Sequence, residues 1–499
     1  MDPLILVSTF LAAHEVPSVL LIGLVVVLVS LVAGRFFCGW ICPFGTLHSL
    51  VGWVWDWFWR KSRRRERWSK WQRVKYYVLV AFLAMSVLRG HWVTIFDPLV
   101  LMYRSMATAV SPGLQWMVEE GSTMVYQADP NIGGFRLAIL TEGWRKFLRG
   151  HVFVVDNQTF IGSGFILLVF VGVLLANGYR RRWWCRYVCP TGALLGVLSS
   201  RPFLRRVVRE DQCVKCGICS AGCHGGVSEP AGGEWKAPEC FVCLNCADVR
   251  GRSCVEFRWV WPWRGQPVVG SVGLSRRGMI VSVLGGVLGL WFLRSSPWSS
   301  LKRLGFQSRG LVFEPSLIRP PGARSEREFI ERCTGCGLCM KVCPTGGLQP
   351  CIFEAGLEGI WTPRLVPQLG ACAYECNLCG QVCPTEAIKP LKLHEKKKVR
   401  LGLAGFDTTK CIPHAYGRDC IVCEECCPVP GKAIYLVEQT VTTRNGEKKT
   451  VRVPHVNPDV CIGCGVCENV CPLRGAPGVR VTSTNESRHT SNQPILLQE

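Results

Sequence analysis

Twenty-four of the 30 cysteines in this 499-residue chain fall into six groups of four with short internal gaps, and this spacing constrains the fold more than any other feature. Cys333, Cys336, Cys339 and Cys343, with Pro344, read Cys-x2-Cys-x2-Cys-x3-Cys-Pro. Cys461, Cys464, Cys467 and Cys471, with Pro472, repeat the pattern. A loop of this kind wraps three thiolates round one [4Fe-4S] cluster and sends the fourth to a neighbouring cluster. Thiolates are needed because the iron–sulfur core is soft. Cys213, Cys216, Cys219 and Cys223 keep the spacing, but His224 stands where proline is usual. Cys240, Cys243, Cys246 and Cys254 have a longer last gap, and Cys372, Cys376, Cys379 and Cys383 a wider first gap. Cys411, Cys420, Cys423 and Cys427 are the least regular, and Pro428 favours Cys427 over Cys426 as the ligand. Cys-x2-Cys pairs also build four-thiolate zinc sites. Three closely spaced cysteines followed by Cys-Pro favour cubanes, and the clustering argues against a disulfide framework.

The stretch Ser275–Leu293 divides the chain. Arg276 and Arg277 precede an uncharged apolar run that approaches the length of a bilayer-crossing helix. It reads either as an uncleaved twin-arginine export signal or as an ordinary membrane helix with a positive cytoplasmic flank. Further spans are expected at Pro17–Phe37, Tyr76–Leu88 and Phe160–Ala176. Basic runs at Arg60–Arg73 and Arg180–Arg182 flank these segments. The net charge of +22 therefore reads as positive-inside anchoring rather than nucleic-acid binding. His48–Trp59 is rich in tryptophan and suits a headgroup interface. Ser111–Gln158 is more polar, has Gly and Pro breaks and is expected outside. No cleavable signal peptide is expected at Met1.

The expected organisation is a membrane domain over 1–200, a cytoplasmic two-cluster module over 201–267 and an anchor over 268–297. A linker over 298–324, a periplasmic four-cluster domain over 325–483 and a flexible tail over 484–499 follow. The fold class is an α-helical membrane domain with a pseudo-two-fold repeat, plus two α+β, bacterial-ferredoxin-like iron–sulfur domains. The repeat shows in Asp2-Pro3-Leu4, which recurs as Asp97-Pro98-Leu99. Each unit later carries Cys-x3-Cys-Pro and a glycine: Cys38, Cys42, Pro43 and Gly45, then Cys185, Cys189, Pro190 and Gly192. Repeated membrane units commonly frame a site at their interface, so these four cysteines could hold one more cluster. The alternative is a tight turn in which Pro43 and Pro190 stop a helix and the thiols are merely buried.

With these motifs in place, residues 1–267 resemble the NapH/MauN-type membrane iron–sulfur proteins, related to the NosR polyferredoxin module. Cys38-x3-Cys42-Pro43, Cys185-x3-Cys189-Pro190 and the two motifs from Cys213 to Cys254 carry that resemblance. Residues 270–483 resemble the NapG/MauM type, a twin-arginine segment followed by a four-cluster ferredoxin. Gly278-Met279 departs from the usual twin-arginine consensus, and the first repeat lacks a helix ahead of Asp2. The resemblance implies a fusion of the two types acting as a quinol dehydrogenase of the bacterial inner membrane. Electrons would pass between membrane quinol and a periplasmic redox protein or respiratory-complex subunits through six [4Fe-4S] clusters. Redox sensing, cluster assembly or the wiring of a larger respiratory complex are the rival readings. His14, Glu15, His48, His91 and Asp97 lie near expected membrane boundaries, where they could handle quinol protons or simply sit at the interface.

The two-cluster rule also predicts crossed ligation. Cys254 would complete the set Cys213, Cys216 and Cys219, and Cys223 the set Cys240, Cys243 and Cys246. In the distal domain a nested arrangement is expected, the Cys333 motif pairing with the Cys461 motif and the Cys372 motif with the Cys411 motif.

Overall fold

The computed structural model describes residues 2–59, 68–128, 131–132, 135–153, 155, 158–209, 211–227, 235–247, 254–261, 273–294, 316–473 and 475–488. Residues 60–67 of the basic run, 298–315 of the linker and 489–499 of the tail lie outside the described residues. The chain forms two compact units, one of residues 1–103 and 167–295, the other of residues 104–166 and 296–499.

In the first unit, helix Pro3–Ala13 starts at Asp2, whose Oδ1 accepts from the amides of Leu4 and Ile5. Pro3 sits where no amide is needed, so sequence and cap agree. Helix Val74–Val87 packs against Pro3–Ala13, Pro190–Leu198 and Arg276–Arg294. The last contact is close because of Gly286: a Cβ there would stand 2.4 Å from the Ala81 carbonyl oxygen. Arg294 ends the helix by donating to the carbonyls of Leu88 and Arg89.

Among the described residues, the 19-residue helix Arg276–Arg294 alone is long and apolar enough to cross a membrane. The other three expected spans contain shorter helices: Ile22–Ala33, Val74–Val87 and Ser163–Leu175, of 12, 14 and 13 residues. At 1.5 Å per residue each reaches about 20 Å, against a hydrocarbon core of about 30 Å. Gly34, at φ 76°, ends the first of them.

The cysteine loops of the first unit are bracketed by antiparallel strands Leu204–Val208 and Val255–Trp259, with Leu204 opposite Trp259 and Val208 opposite Val255. In the second unit, strands Leu348–Pro350 and Pro363–Leu365 form one hairpin, and Ile434–Thr442 and Lys448–Val456 another. Strands Leu403–Phe406 and Val479–Thr482 pair across the later motifs.

Residues 104–166 belong to this second unit, so the compact units cut the chain differently from a membrane domain over 1–200. The reason is a set of bonds. Arg104 donates to the carbonyls of Thr334 and Gly335 and lies over the Trp361 ring. Gln158 donates to the carbonyls of Lys341 and Cys343, and Gln349 accepts from the Ile161 amide. The more polar stretch Ser111–Gln158 contains helices Ser111–Ala128 and Leu137–His151.

Candidate functional site: iron–sulfur centres

Each distal motif places its third cysteine on a single helical turn: Cys339 in Leu338–Lys341, Cys379 in Leu378–Gln381, Cys423 in Val422–Glu425 and Cys467 in Val466–Asn469. In the two regular distal motifs the loop before that turn takes left-handed backbone on both sides of the second cysteine, whereas Asn377 and Ile421 beside Cys376 and Cys420 do not. Glycine supplies it at Gly335 and Gly337, and at Gly463 and Gly465. In the first unit Lys215, Val242 and Leu244 adopt the same conformation without that freedom. A β-branched residue such as Val242 is held there only by strong surroundings. Its carbonyl accepts from Trp40 Nε1 at 2.9 Å.

The thiols assemble in crossed sets. Cys254 hydrogen-bonds Cys213 and stands beside Cys219, while Cys216 is exposed on the same loop. Cys223 stands beside Cys240 and Cys243, and Cys246 beside Cys240. Cys383 faces Cys333, Cys336 and Cys339. Cys343 faces Cys372 and Cys379, with Cys376 beside both. Cys471 joins Cys411, which lies next to Cys420 and Cys423. Cys427 faces Cys461 and Cys464, and Cys467 completes that group. Two of these sets line hollows: one is walled by Cys427, Cys461, Cys464 and Cys467, the other by Cys343, Cys372, Cys376 and Cys379.

The nested pairing is corrected: each distal motif pairs with its neighbour in sequence, Cys333 with Cys372 and Cys411 with Cys461. The hairpin Leu348–Pro350/Pro363–Leu365 returns the chain between the first two motifs, and Ile434–Thr442/Lys448–Val456 between the last two. Each hairpin returns the chain so that adjacent motifs meet. Cys426 is exposed, whereas Cys427 faces its set. Cys351 is buried away from the sets, 3.5 Å from Arg319 Nη1.

Burial pushes the thiols of Cys240, Cys333, Cys379 and Cys423 up to about 12, reinforced by the neighbouring sulfurs. Crowded buried thiols become thiolates when a metal centre displaces their protons. The donor sets fit four-iron clusters, three thiols from one loop and one from the next.

Cys38, Cys42, Cys185 and Cys189 form a further quartet. Cys42 stands beside Cys38 and Cys185, and Cys189 beside all three others. A short helical segment ends just before each proline, Phe37–Ile41 before Pro43 and Trp183–Tyr187 before Pro190, and each proline also opens the next helix. Pro43 begins helix Pro43–Trp59, and Pro190 begins Pro190–Leu198, whose N-cap is Cys189. The arginine three residues before each motif crosses to the other repeat. Arg35 Nη2 lies 2.5 Å from where a Cβ on Gly192 would stand, and Arg182 Nη1 lies 3.9 Å from the same point on Gly45. Both guanidinium groups cover the Phe241 ring, at 4.6 and 5.1 Å. Arg35 is fully buried, and its Nη2 has no acceptor among the described residues. An anionic group held by the quartet would supply one. Lys75 is a third nearby cation; with Arg35 and Tyr76 it also binds Glu239, at 2.5, 3.4 and 2.9 Å respectively. Phe241 lies between Cys240 and Cys243, so the quartet adjoins one of the crossed sets. The spacing Arg-x2-Cys-x3-Cys-Pro-x-Gly occurs twice in the sequence, where Arg182 reads only as part of a basic flank.

Of the other expected residues, His14 and Glu15 are exposed. His48 is buried and bonds Asn177 at 2.7 Å. His91 bonds Ser8 at 3.0 Å, and Asp97 caps the helix beginning at Pro98.

Family profiles described as 4Fe-4S binding domains match residues 15–65 with 163–209, residues 330–349 and residues 453–477. The chain is 33% identical over 169 residues to the methylamine utilization ferredoxin-type protein MauM of Methylorubrum extorquens, covering 34% of this chain and 73% of the relative. It is 35% identical over 185 residues to MauM of Paracoccus denitrificans, covering 36% and 78%. It is 35% identical over 179 residues to the ferredoxin-type protein NapG of Escherichia coli, covering 36% and 75%. No solved structure matches the chain. Over that shared third of its length, which spans most of each relative, the chain belongs to the MauM/NapG family of ferredoxin-type proteins, which transfer electrons through [4Fe-4S] clusters.

Proposed function

We propose that the chain is a membrane-bound quinol dehydrogenase component. In this reading a NapH/MauN-type membrane part is fused to the NapG/MauM-type ferredoxin, in the bacterial inner membrane. Six clusters are held by the crossed sets from Cys213 to Cys471, and a seventh by Cys38, Cys42, Cys185 and Cys189. Bound clusters supply one-electron carriers. The chain's own residues orient them, exclude water and set the surrounding charge.

The observation that carries this reading is the meeting of the quartet with the Cys240–Cys243 loop. Phe241 lies under Arg35 and Arg182, and Trp40 is bonded to Val242. An electron entering at the quartet thus has a short, dry route into the 201–267 module.

Membrane embedding is supported by apolar side chains that face outward. Leu24, Val25 and Leu28 are exposed on Ile22–Ala33, Leu168 and Val171 on Ser163–Leu175, and Val281, Leu284 and Leu288 on Arg276–Arg294. Such surface suits lipid and is costly in water. Short helices with outward apolar faces could cross the bilayer core together with their flanking turns, giving a multi-span domain. The packing of residues 104–166 with the distal cysteine domain supports one shared, periplasmic side for both. The module at 201–267 is then cytoplasmic, and the acceptor is a periplasmic redox protein or a respiratory-complex subunit.

The test is Cys38→Ser and Cys185→Ser, made singly, with quinol-to-cluster transfer followed in membranes. Loss of transfer with the six other clusters intact is expected. Unchanged rates in both variants would reduce the quartet to a structural turn.

A further inference from the structure

A cavity of about 420 Å³ opens in the first unit beside the loop from Cys185 to Cys189. One wall is Ser69, Trp71 and Val74, from the turn Lys70–Arg73 and the start of helix Val74–Val87. The other is the segment that leads into the second Cys-x3-Cys-Pro motif, through Tyr179, Arg180, Trp183, Tyr187 and Val188. Its size is that of a small-molecule site, and its lining is mostly aromatic. The Trp183 and Tyr187 rings pair at 6.1 Å along the short helix Trp183–Tyr187. Trp71 and Tyr179 stand at the mouth, 73% and 71% exposed, so neither is there to fill the core.

Tyr187 and Val188 are two of the three residues between Cys185 and Cys189, so a molecule in the cavity touches the quartet's own loop. That loop is held tight: the amides of Val188 and Cys189 both donate to the Trp184 carbonyl at 3.0 Å. An electron leaving the cavity needs only one residue's length of chain to reach Cys189. The walls also adjoin the two basic runs that flank the expected spans. On the membrane reading above, the mouth therefore lies at the headgroup level, where indole and phenol rings are favoured. Polar groups in the lining are few. The Arg180 guanidinium lies 5.7 Å from the Tyr179 ring centre, and Ser69 Oγ accepts from the Trp71 amide at 3.4 Å. Aromatic walls with one cation and one hydroxyl suit a flat ring bearing oxygens. A phosphate would call for a denser set of cations.

We infer that this cavity binds the quinol head group, with the apolar tail left in lipid. The inference rests on the quinol reading above and says where that quinol docks. Trp71 and Trp183 hold the ring by stacking, and Arg180 donates to a ring oxygen. On oxidation the two O–H bonds break as two C=O bonds form. The two electrons leave singly through the quartet loop, each reducing one oxidised iron–sulfur site. The two protons pass to water at the open mouth.

The test uses the full chain in membranes, with a short-chain azido-quinone as photolabel and peptide mass spectrometry to locate it. Label is expected on residues 69–74 or 179–188, and an excess of short-chain quinol should abolish it. Val74→Trp, which fills the cavity from its helix side, should remove the label while dithionite still bleaches every cluster. Trp71→Ala and Arg180→Gln should each raise KM for short-chain quinol about tenfold with kcat largely kept, the scale of one lost ring or charge-assisted contact. The wild-type label locates the site even where a variant fails to assemble. Label confined to other segments, or wild-type KM in both variants, would overturn the inference and leave the quinol reading standing. Label displaced by phosphatidylglycerol vesicles but not by quinol would also overturn it, in favour of a lipid headgroup site. A wild type whose clusters dithionite bleaches and quinol does not would instead sink the quinol reading, and this site with it.

Discussion

The backbone amide of Cys372 donates to the carbonyl of Cys464 at 2.8 Å. This bond joins the two cluster pairs of the second unit through their inner members. Cys372 belongs to the set with Cys343, Cys376 and Cys379, and Cys464 to the set with Cys427, Cys461 and Cys467. The sets therefore adjoin in the order Cys333, Cys372, Cys461, Cys411. Such a succession suits conduction from one end to the other.

The crossed sets predict which cluster a given cysteine serves. Cys383→Ser should disturb the cluster of Cys333, Cys336 and Cys339, leaving that of Cys372, Cys376 and Cys379 intact. Electron paramagnetic resonance combined with iron analysis should show one altered or missing centre, up to about four irons. Disturbance of the Cys372 centre would contradict the pairing.

Arg104 places a buried cation beside Cys336 while tying down the loop at Thr334 and Gly335. A reduced cluster is more negative than an oxidised one, so this cation favours reduction. Arg104→Gln should lower the reduction potential of that centre by about 60 mV, a tenfold change for one electron. A redox titration of the resolved signal measures it, and an unchanged potential would remove Arg104 as an influence.

Gly192 leaves no room for a side chain beside Arg35. Gly192→Ala should push the guanidinium aside, cost about 1–3 kcal/mol in stability and slow quinol-driven reduction. The six crossed sets should keep their iron. Normal rates in a fully loaded Gly192→Ala protein would show that the arginine position is immaterial.

Burial alone would raise the Glu326 carboxyl, but Arg319 and then Arg488 hold it at about 2. A depressed acid contributes stability that is fully present above its ordinary value near 4.5 and is lost as pH falls toward 2. Glu326→Gln should therefore lose on the order of 3 kcal/mol at neutral pH, and the gap to wild type should narrow progressively as pH falls from about 4.5 to about 2. Thermal loss of the cluster absorption across pH reads this out; a gap constant with pH would contradict it.

The cysteine spacings made the loops, the crossed ligation of the first unit and the choice of Cys427 legible without a structure. They could not choose among distal pairings, because the hairpins that decide them, such as Ile434–Thr442 with Lys448–Val456, carry no cysteine. The repeat was visible in Asp2 and Asp97, each of which caps its own helix. Membrane spans were read from hydropathy, which does not register the glycine turn at Gly34. Arg104 was hidden because its partners lie more than two hundred residues away.

The central claim is that quinol electrons enter this chain and spread over six or more four-iron clusters. The most direct test adds a reduced quinol to the anaerobically purified full chain, with iron and sulfide counted on the same sample. The account predicts about 24–28 irons per chain. It also predicts bleaching of the visible cluster absorption by quinol, to a large fraction of that reached with dithionite. Clusters that dithionite bleaches and quinol leaves untouched, or a metal content dominated by zinc, would contradict it.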